Sequence, residues 1–289
     1  MHPLLRSLRP NQWIKSVFVL APLVFSAHLL DGRYLLRSGA AFVLFCLMSS
    51  AVYLLNDIRD VESDRRHPEK RNRPIASGLL SPGAASAAAI VITLLALPPA
   101  FLLSTSFGWV LLAYGLMNVA YSLYLKHVVI LDVMIVASGY LLRAIAGALV
   151  IVVEISSWLI LCTVLLALFM GFVKRRQELI LLESGAGGHR RILDEYTPRF
   201  LDQMIAVVTA GALVSYALYT MSPDVAQKLG TPHLNLTIPF VIYGLLRYLY
   251  LVYARNQGGN PSSTILGDPS LLINGGLWFL AVFSLLYFK

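Results

Sequence analysis

Apolar residues run in long unbroken blocks along this chain, and each block gives way to a short cluster of charged residues, glycine or proline. About nine blocks approach the roughly 20 residues that an α-helix needs to cross the hydrocarbon of a bilayer. They are residues 14–30, 38–56, 84–103, 107–125, 130–153, 158–173, 200–221, 236–254 and 270–288. Runs this long and continuous predict helices, because barrel strands are about half the length and alternate apolar with polar positions. Nothing of soluble-domain size is left between the blocks. The pattern therefore predicts one all-α polytopic membrane domain over residues 1–289, with loops on one face at about 57–83, 126–130, 174–199 and 255–269.

Composition agrees: 13% of the residues are charged and the mean hydropathy is +0.71, against about a quarter charged in ordinary soluble domains. Arg6 and Arg9 precede the first block, and Lys15 lies at its start, in the manner of a signal peptide, but the length of that block and the many that follow favour a retained span. Cys46 and Cys162 both lie inside apolar blocks and read as packing or lipid-facing residues. The net charge is +8, and its distribution matters more than its size. With the N-terminus inside, the outer segments carry only Arg33, Arg37, Lys228 and Lys289, Arg143 and Arg247 fall within spans, and the rest of the 23 bases lie inside. This bias predicts N-in, C-out in a bacterial-type plasma membrane, and it gives the bases a topological role with no nucleic-acid partner.

Topology does not explain the acids at the end of the second block, "YLLNDIRDVESDRRHPEKRNRPIASG". If that helix continues past Asn56 at about 100° per residue, Asp57, Asp60 and Asp64 fall near 100°, 40° and 80° from it, whereas Glu62 falls near 240°. Three carboxylates on one strip repel one another unless a cation intervenes. Magnesium suits them, since it binds a few carboxylates and takes its other ligands from water and substrate phosphate. Lys70, Arg71 and Arg73 follow directly and can grip phosphate. The competing reading is a solvated loop in which acids and bases merely pair; the one-sided arc at a membrane edge favours the metal site.

The stretch "NDIRDVESD" resembles the first aspartate-rich motif of the UbiA superfamily of intramembrane prenyltransferases. "LRPNQWIKSVFVLAPLVFS" and "HPEKRNRPIASG" on either side are similar to its decaprenyl-phosphate phosphoribosyltransferase-like branch, and "YSLYLKHVVILDVMIVASGYLLRAIAGAL" and "LALFMGFVKRRQELILL" extend the likeness. The resemblance implies nine helices around a central cavity and a Mg2+–diphosphate site on the cytoplasmic side, held by Asn56, Asp57, Asp60 and Asp64. It also implies 5-phosphoribosyl 1-diphosphate as donor, a polyprenyl phosphate as acceptor, and a product that can feed cell-envelope polymers. One departure stands out. Where many members carry a second acidic motif after the sixth span, this chain has Lys174, Arg175, Arg176, Gln177 and Glu178, which suits a donor with an additional phosphate.

Candidate phosphate grips are Lys70, Arg71, Arg73, Lys126, Lys174 and Arg175, with Gln12 and Lys15 from the N-terminal motif and Glu178 beside the basic run. Arg143 lies deep in the fifth block, where a charge needs a partner or a task; it binds substrate or hydrogen-bonds neighbouring carbonyls. Asp132 binds donor hydroxyls or pairs with Lys126. Asn118, Tyr121 and Ser122 share a face that is either a wall of the site or a helix interface. Tyr248, Tyr250 and Tyr253 read as an interfacial aromatic belt. "SGAGGH", residues 184–189, reads as a linker and not a phosphate-binding loop, and the scattered His67, His127 and His189 lack zinc spacing.

Two alternatives remain at this stage. One is transfer of a prenyl group from its diphosphate to an aromatic acceptor, which calls for a second acidic cluster. The other is a transporter or cation carrier, which calls for acids nearer mid-membrane. The sequence permits a homo-oligomer.

Overall fold

The computed structural model describes residues 2–26, 28–67, 70–183, 191–255, 257, 259 and 261–288. The chain opens with α1 (Pro3–Ser7), a 3-10 helix over Pro10–Leu20 and α2 (Ala21–Phe25), then runs through α3 (Gly32–Arg59), α4 (Val61–Arg66), α5 (Pro82–Leu103), α6 (Thr105–Leu123) and α7 (Leu131–Ile151). It continues through α8 (Ser157–Glu183), α9 (Pro198–Met221), α10 (Pro223–Leu229), α11 (Ile238–Ala254), α12 (Pro261–Gly267) and α13 (Pro269–Tyr287). No strand occurs among the described residues. The glycine-rich stretch 184–189 lies outside them.

Local sequence explains where the helices begin. Ser81, Thr197 and Asp268 each accept a backbone N–H of the first turn with their side chains, and each is followed by proline at the first helical position. Ser104 ends α5 and caps α6 in the same way. Among the described residues eight helices are long and apolar enough to cross a membrane, so the chain is a multi-pass membrane protein. The first predicted block is different: it is a 3-10 helix followed by α2. A 3-10 helix rises about 2.0 Å per residue against 1.5 Å for an α-helix, so Pro10–Phe25 still extends about 30 Å. About nine crossings therefore remains close, with one built from an unusual helix.

Lipid does much of the burying. Over half of the most apolar window of α3 (56%) and half of that of α7 (50%) are covered by protein, against 17% for α5 and α13. α3 and α7 are therefore the most central helices, each with about half of its apolar window facing other helices. The 3-10 segment packs on both. At its contact with α7, a Cβ on Gly147 would run into the Val19 carbonyl oxygen, so only glycine allows this approach. Trp13 donates to Ser50 Oγ (3.0 Å), which donates to the Leu8 carbonyl (2.9 Å), pinning the N-terminal segment to α3. At the other end of α3, Arg37 donates to the carbonyls of Val150 (2.7 Å) and Leu103 (2.9 Å), where the ends of α7 and α5 need a cation.

Candidate active site

α3 stops at Arg59. Asp60, at φ −91° and ψ 9°, turns the chain into α4, so the acidic strip does not run along one ideal helix. Asp57 is buried and accepts hydrogen bonds from Arg9 and from Arg73 Nη1 (3.1 Å); the same Nη1 donates to Asp64 Oδ2 (2.6 Å). Asp60 instead turns to Lys126 Nζ (2.7 Å), and Asn56 Oδ1 accepts from the Ser122 hydroxyl. Glu62 points away into solvent with Arg65, as the helical-face argument requires.

The four predicted metal ligands are thus split. Asp57 and Asp64 converge on one cationic group, while Asn56 and Asp60 are engaged elsewhere. Among the described residues no group of three or more acids, histidines or cysteines is drawn together tightly enough to hold a metal by itself. Two convergent carboxylates nevertheless fit magnesium, which commonly binds one or two and completes its shell with water and substrate phosphate. That the pair already encloses the positive charge of Arg73 supports the fit.

Beside this pair opens a cleft of about 270 Å³, lined by Arg6, Ser7, Arg9, Asp57, Lys70, Asn72, Arg73 and Pro74. Four bases and one acid surround it. Arg9 was legible only as a topological charge, yet it is the residue that reaches Asp57, and its guanidinium lies 5.0 Å from the Tyr53 ring centre. The available signal was its place next to Pro10 in the N-terminal motif. Its φ of 53° is a left-handed conformation that a non-glycine residue adopts at some cost. Arg71 and Gln12 do not line the cleft. Lys15 lies farther along the 3-10 segment, where the charges that bear on it are those of Arg143 and Arg9.

A second polar group joins the end of α8, and Tyr196 before α9, to the start of α7. α8 runs to Glu183 and so carries Arg175 and Glu178 on helix where a loop was expected. Asp132, fully buried, accepts from Arg175 Nε (2.5 Å) and from the Tyr196 hydroxyl (2.7 Å), which in turn accepts from the Ile130 N–H (2.7 Å). Arg175 also binds Glu178 (2.6 Å) and approaches Tyr121 (3.4 Å). Burial and the bond to Asp132 hold the Tyr196 phenol well above the usual tyrosine range. Two expectations change here. Asp132 pairs with Arg175 and not Lys126, and Arg175 is 4% exposed with its guanidinium committed to carboxylates, so it is not positioned as a phosphate grip. Lys174, half exposed and 3.8 Å from Glu178, keeps that role open. Sequence alone gave no sign of Tyr196.

Arg143 lies inside, on Gly139, Tyr114 and Ser49, and does not approach Asp132. Tyr248 is also an interior residue, packed edge-on against Phe169, whereas Tyr250 and Tyr253 are exposed as a belt requires. Of the presumed polar wall on α6, Ser122 reaches Asn56, Tyr121 reaches Arg175 and Asn118 only bonds the Tyr114 carbonyl.

The model of the UbiA prenyltransferase family matches residues 16–266. The decaprenyl-phosphate phosphoribosyltransferase of Corynebacterium glutamicum is 34% identical over 98% of this chain and 86% of its own length. That of Mycolicibacterium smegmatis is 35% identical over 99% and 93%. Among solved structures, a UbiA homolog from Archaeoglobus fulgidus bound to GPP and Mg2+ shares the fold, with a TM-score of 0.72 and 18% identity over 98% of this chain and 99% of that one.

Proposed function

The chain belongs to the UbiA prenyltransferase family, and from that premise we propose that it transfers the 5-phosphoribosyl group of 5-phosphoribosyl 1-diphosphate to a polyprenyl phosphate, releasing diphosphate. The observation that carries this reading is the basic cleft against Asp57 and Asp64. A prenyl diphosphate presents one diphosphate and an apolar tail, whereas a phosphoribosyl donor presents a diphosphate, a separate 5-phosphate and a polar sugar. Four bases around one acid suit the second. The names of the relatives at 34% and 35% identity point the same way.

The lipid phosphate is an anion near neutral pH, so its oxygen attacks C1 of the ribose without a general base. The C1–O bond to diphosphate breaks as the new bond forms, positive charge gathers on the sugar ring, and negative charge gathers on the leaving group. Asp57 and Asp64 are the residues that would hold magnesium, which when bound supplies Lewis-acid neutralisation of that leaving diphosphate. Arg6, Arg9, Lys70 and Arg73 surround the cleft with fixed positive charge, where stabilisation of the departing group is worth most. Lys126, held by Asp60 at the same face, and Lys174 add to it. The site opens to the cytoplasmic face with the N-terminus inside, and the isoprenoid tail stays in lipid.

The test uses the purified protein in detergent with magnesium, doubly presented with labelled phosphoribosyl diphosphate and labelled prenyl diphosphate, a polyprenyl phosphate and an aromatic acid. Ribose label in the lipid product is expected. Prenylated aromatic product in its place would replace this reading with the alternative transferase.

A further inference from the structure

Two bases lie deeper than the cleft, and among the described residues neither pairs with a carboxylate. Arg143 is 5% exposed, and its hydrogen bonds go to neutral oxygens: the Gly139 carbonyl (2.8 Å), the Tyr114 hydroxyl (2.7 Å) and the Ser49 hydroxyl (3.3 Å). Its Nε has no partner. The rings of Tyr114, Tyr140 and Phe45 lie 4.7, 5.6 and 5.9 Å from its guanidinium carbon. Lys15 lies one 3-10 turn before Phe18, whose ring packs edge-on against Tyr140 at 5.1 Å, so it approaches the same charge. Tyr248, 3% exposed on α11, packs against Phe169 and leaves its hydroxyl without a partner, and Tyr140 is the titratable group that bears on it. A buried cation satisfied only by neutral groups is costly, and two together repel, so the arrangement is balanced only when an anion joins it.

Its position relative to the first site is set by α3. Asp57, Tyr53, Ser49 and Phe45 follow one another at four-residue spacing and so descend one face of that helix. Ser49, which touches Arg143, is eight residues from Asp57, about 12 Å along the axis. Tyr53 lies between the two levels and feels the charges of Arg9, Asp57 and Arg143. The interior thus holds two anion-favouring levels, one at the carboxylate pair and one two turns deeper.

We infer that Lys15 and Arg143, with the Tyr248 hydroxyl, form a subsite for a phosphomonoester dianion, whose two charges they neutralise. Resting on the function proposed above, that dianion is the 5-phosphate of the donor: its diphosphate sits against Asp57 and Asp64, and its sugar spans the level of Tyr53. The other source of the same chemistry is the headgroup of the polyprenyl phosphate, and the experiment separates the two.

Kinetics are measured for the wild type, Arg143→Gln, Lys15→Gln and Tyr248→Phe with two donors, phosphoribosyl diphosphate and ribose 1-diphosphate lacking the 5-phosphate. The wild type is expected to prefer the full donor strongly in kcat/KM. Each glutamine variant should cut that preference at least tenfold and Tyr248→Phe several-fold, with little change in kcat/KM for the truncated donor. Ribose 5-phosphate should compete with the full donor in the wild type and lose its potency in parallel. If the KM for polyprenyl phosphate rises and donor preference is unchanged, the subsite belongs to the lipid and the donor assignment is overturned. If neither donor preference nor lipid KM moves in folded protein, the cluster is structural and the inference fails. Tyr248→Phe removes one oxygen and keeps the packing, so it decides the matter if a glutamine variant does not fold. Failure of the functional reading is separately visible, since the wild type would then use neither donor.

Discussion

Replacing Arg175 by glutamine tests the reassignment of that residue from phosphate grip to structural partner. The side chains of Arg175 and Asp132 are 5% and 0% exposed, and their closest approach is 2.5 Å. Arg175→Gln leaves the Asp132 charge buried without a cation, with the Tyr196 phenol as its remaining hydrogen-bond donor, and breaking a buried pair from one side costs about 3–5 kcal/mol. Asp132→Asn is milder, because Arg175 keeps Glu178, and a cost of about 1–3 kcal/mol is expected from the altered hydrogen bonds. The double variant Asp132→Asn with Arg175→Gln removes both charges together and should recover at least about 2 kcal/mol over Arg175→Gln alone, the signature of direct coupling. Unfolding in mixed micelles as the SDS fraction rises measures all four proteins in one system. Donor KM is measured in parallel. A stable Arg175→Gln protein, or a double variant no better than that single, would refute the buried-pair argument. If the double variant regains stability while its donor KM stays tenfold raised, Arg175 holds phosphate after all.

Asp57→Asn and Asp64→Asn should each reduce transfer at least about tenfold, the equivalent of 1.4 kcal/mol of leaving-group stabilisation, in protein that remains folded in the membrane. Glu62→Gln is the control: its side chain is 71% exposed and faces away, so damage comparable to that at Asp57 would sink the assignment of the acidic face. Lys174→Gln should raise the KM for phosphoribosyl diphosphate more than that for polyprenyl phosphate, and equal constants would return Lys174 to a purely topological role. In a background lacking Cys46 and Cys162, a cysteine at Glu62 should react with an impermeant thiol reagent only from the cytoplasmic side, and one at Lys228 only from outside. The reverse labelling in intact cells would invert the N-in orientation and move the proposed site to the other face.

What the chain alone settled is what depends on neighbours in sequence. Apolar block length predicts spans because a bilayer imposes one length on every crossing. The starts of α5, α6, α9 and α13 follow from a capping side chain, in three of them with proline behind it. The exclusion of Glu62 from the acidic face survived because helical phase persists over a turn or two. Partnership did not follow from such rules. Arg9 meets Asp57 across 48 positions and Lys126 meets Asp60 across 66, while Asp132 passes over nearby Lys126 for Arg175, 43 residues away. Those choices depend on how each helix is rotated about its axis and where it breaks. The break at Asp60 divided a four-residue ligand strip into a converging pair and two residues engaged elsewhere. The first block shows the same limit, since hydropathy counts residues and cannot distinguish a 3-10 rise from an α rise. Tyr248 turned inward for a related reason: an aromatic near a span end suits an interface or an interior equally, and only packing of α11 against Phe169 on α8 decides which side it faces.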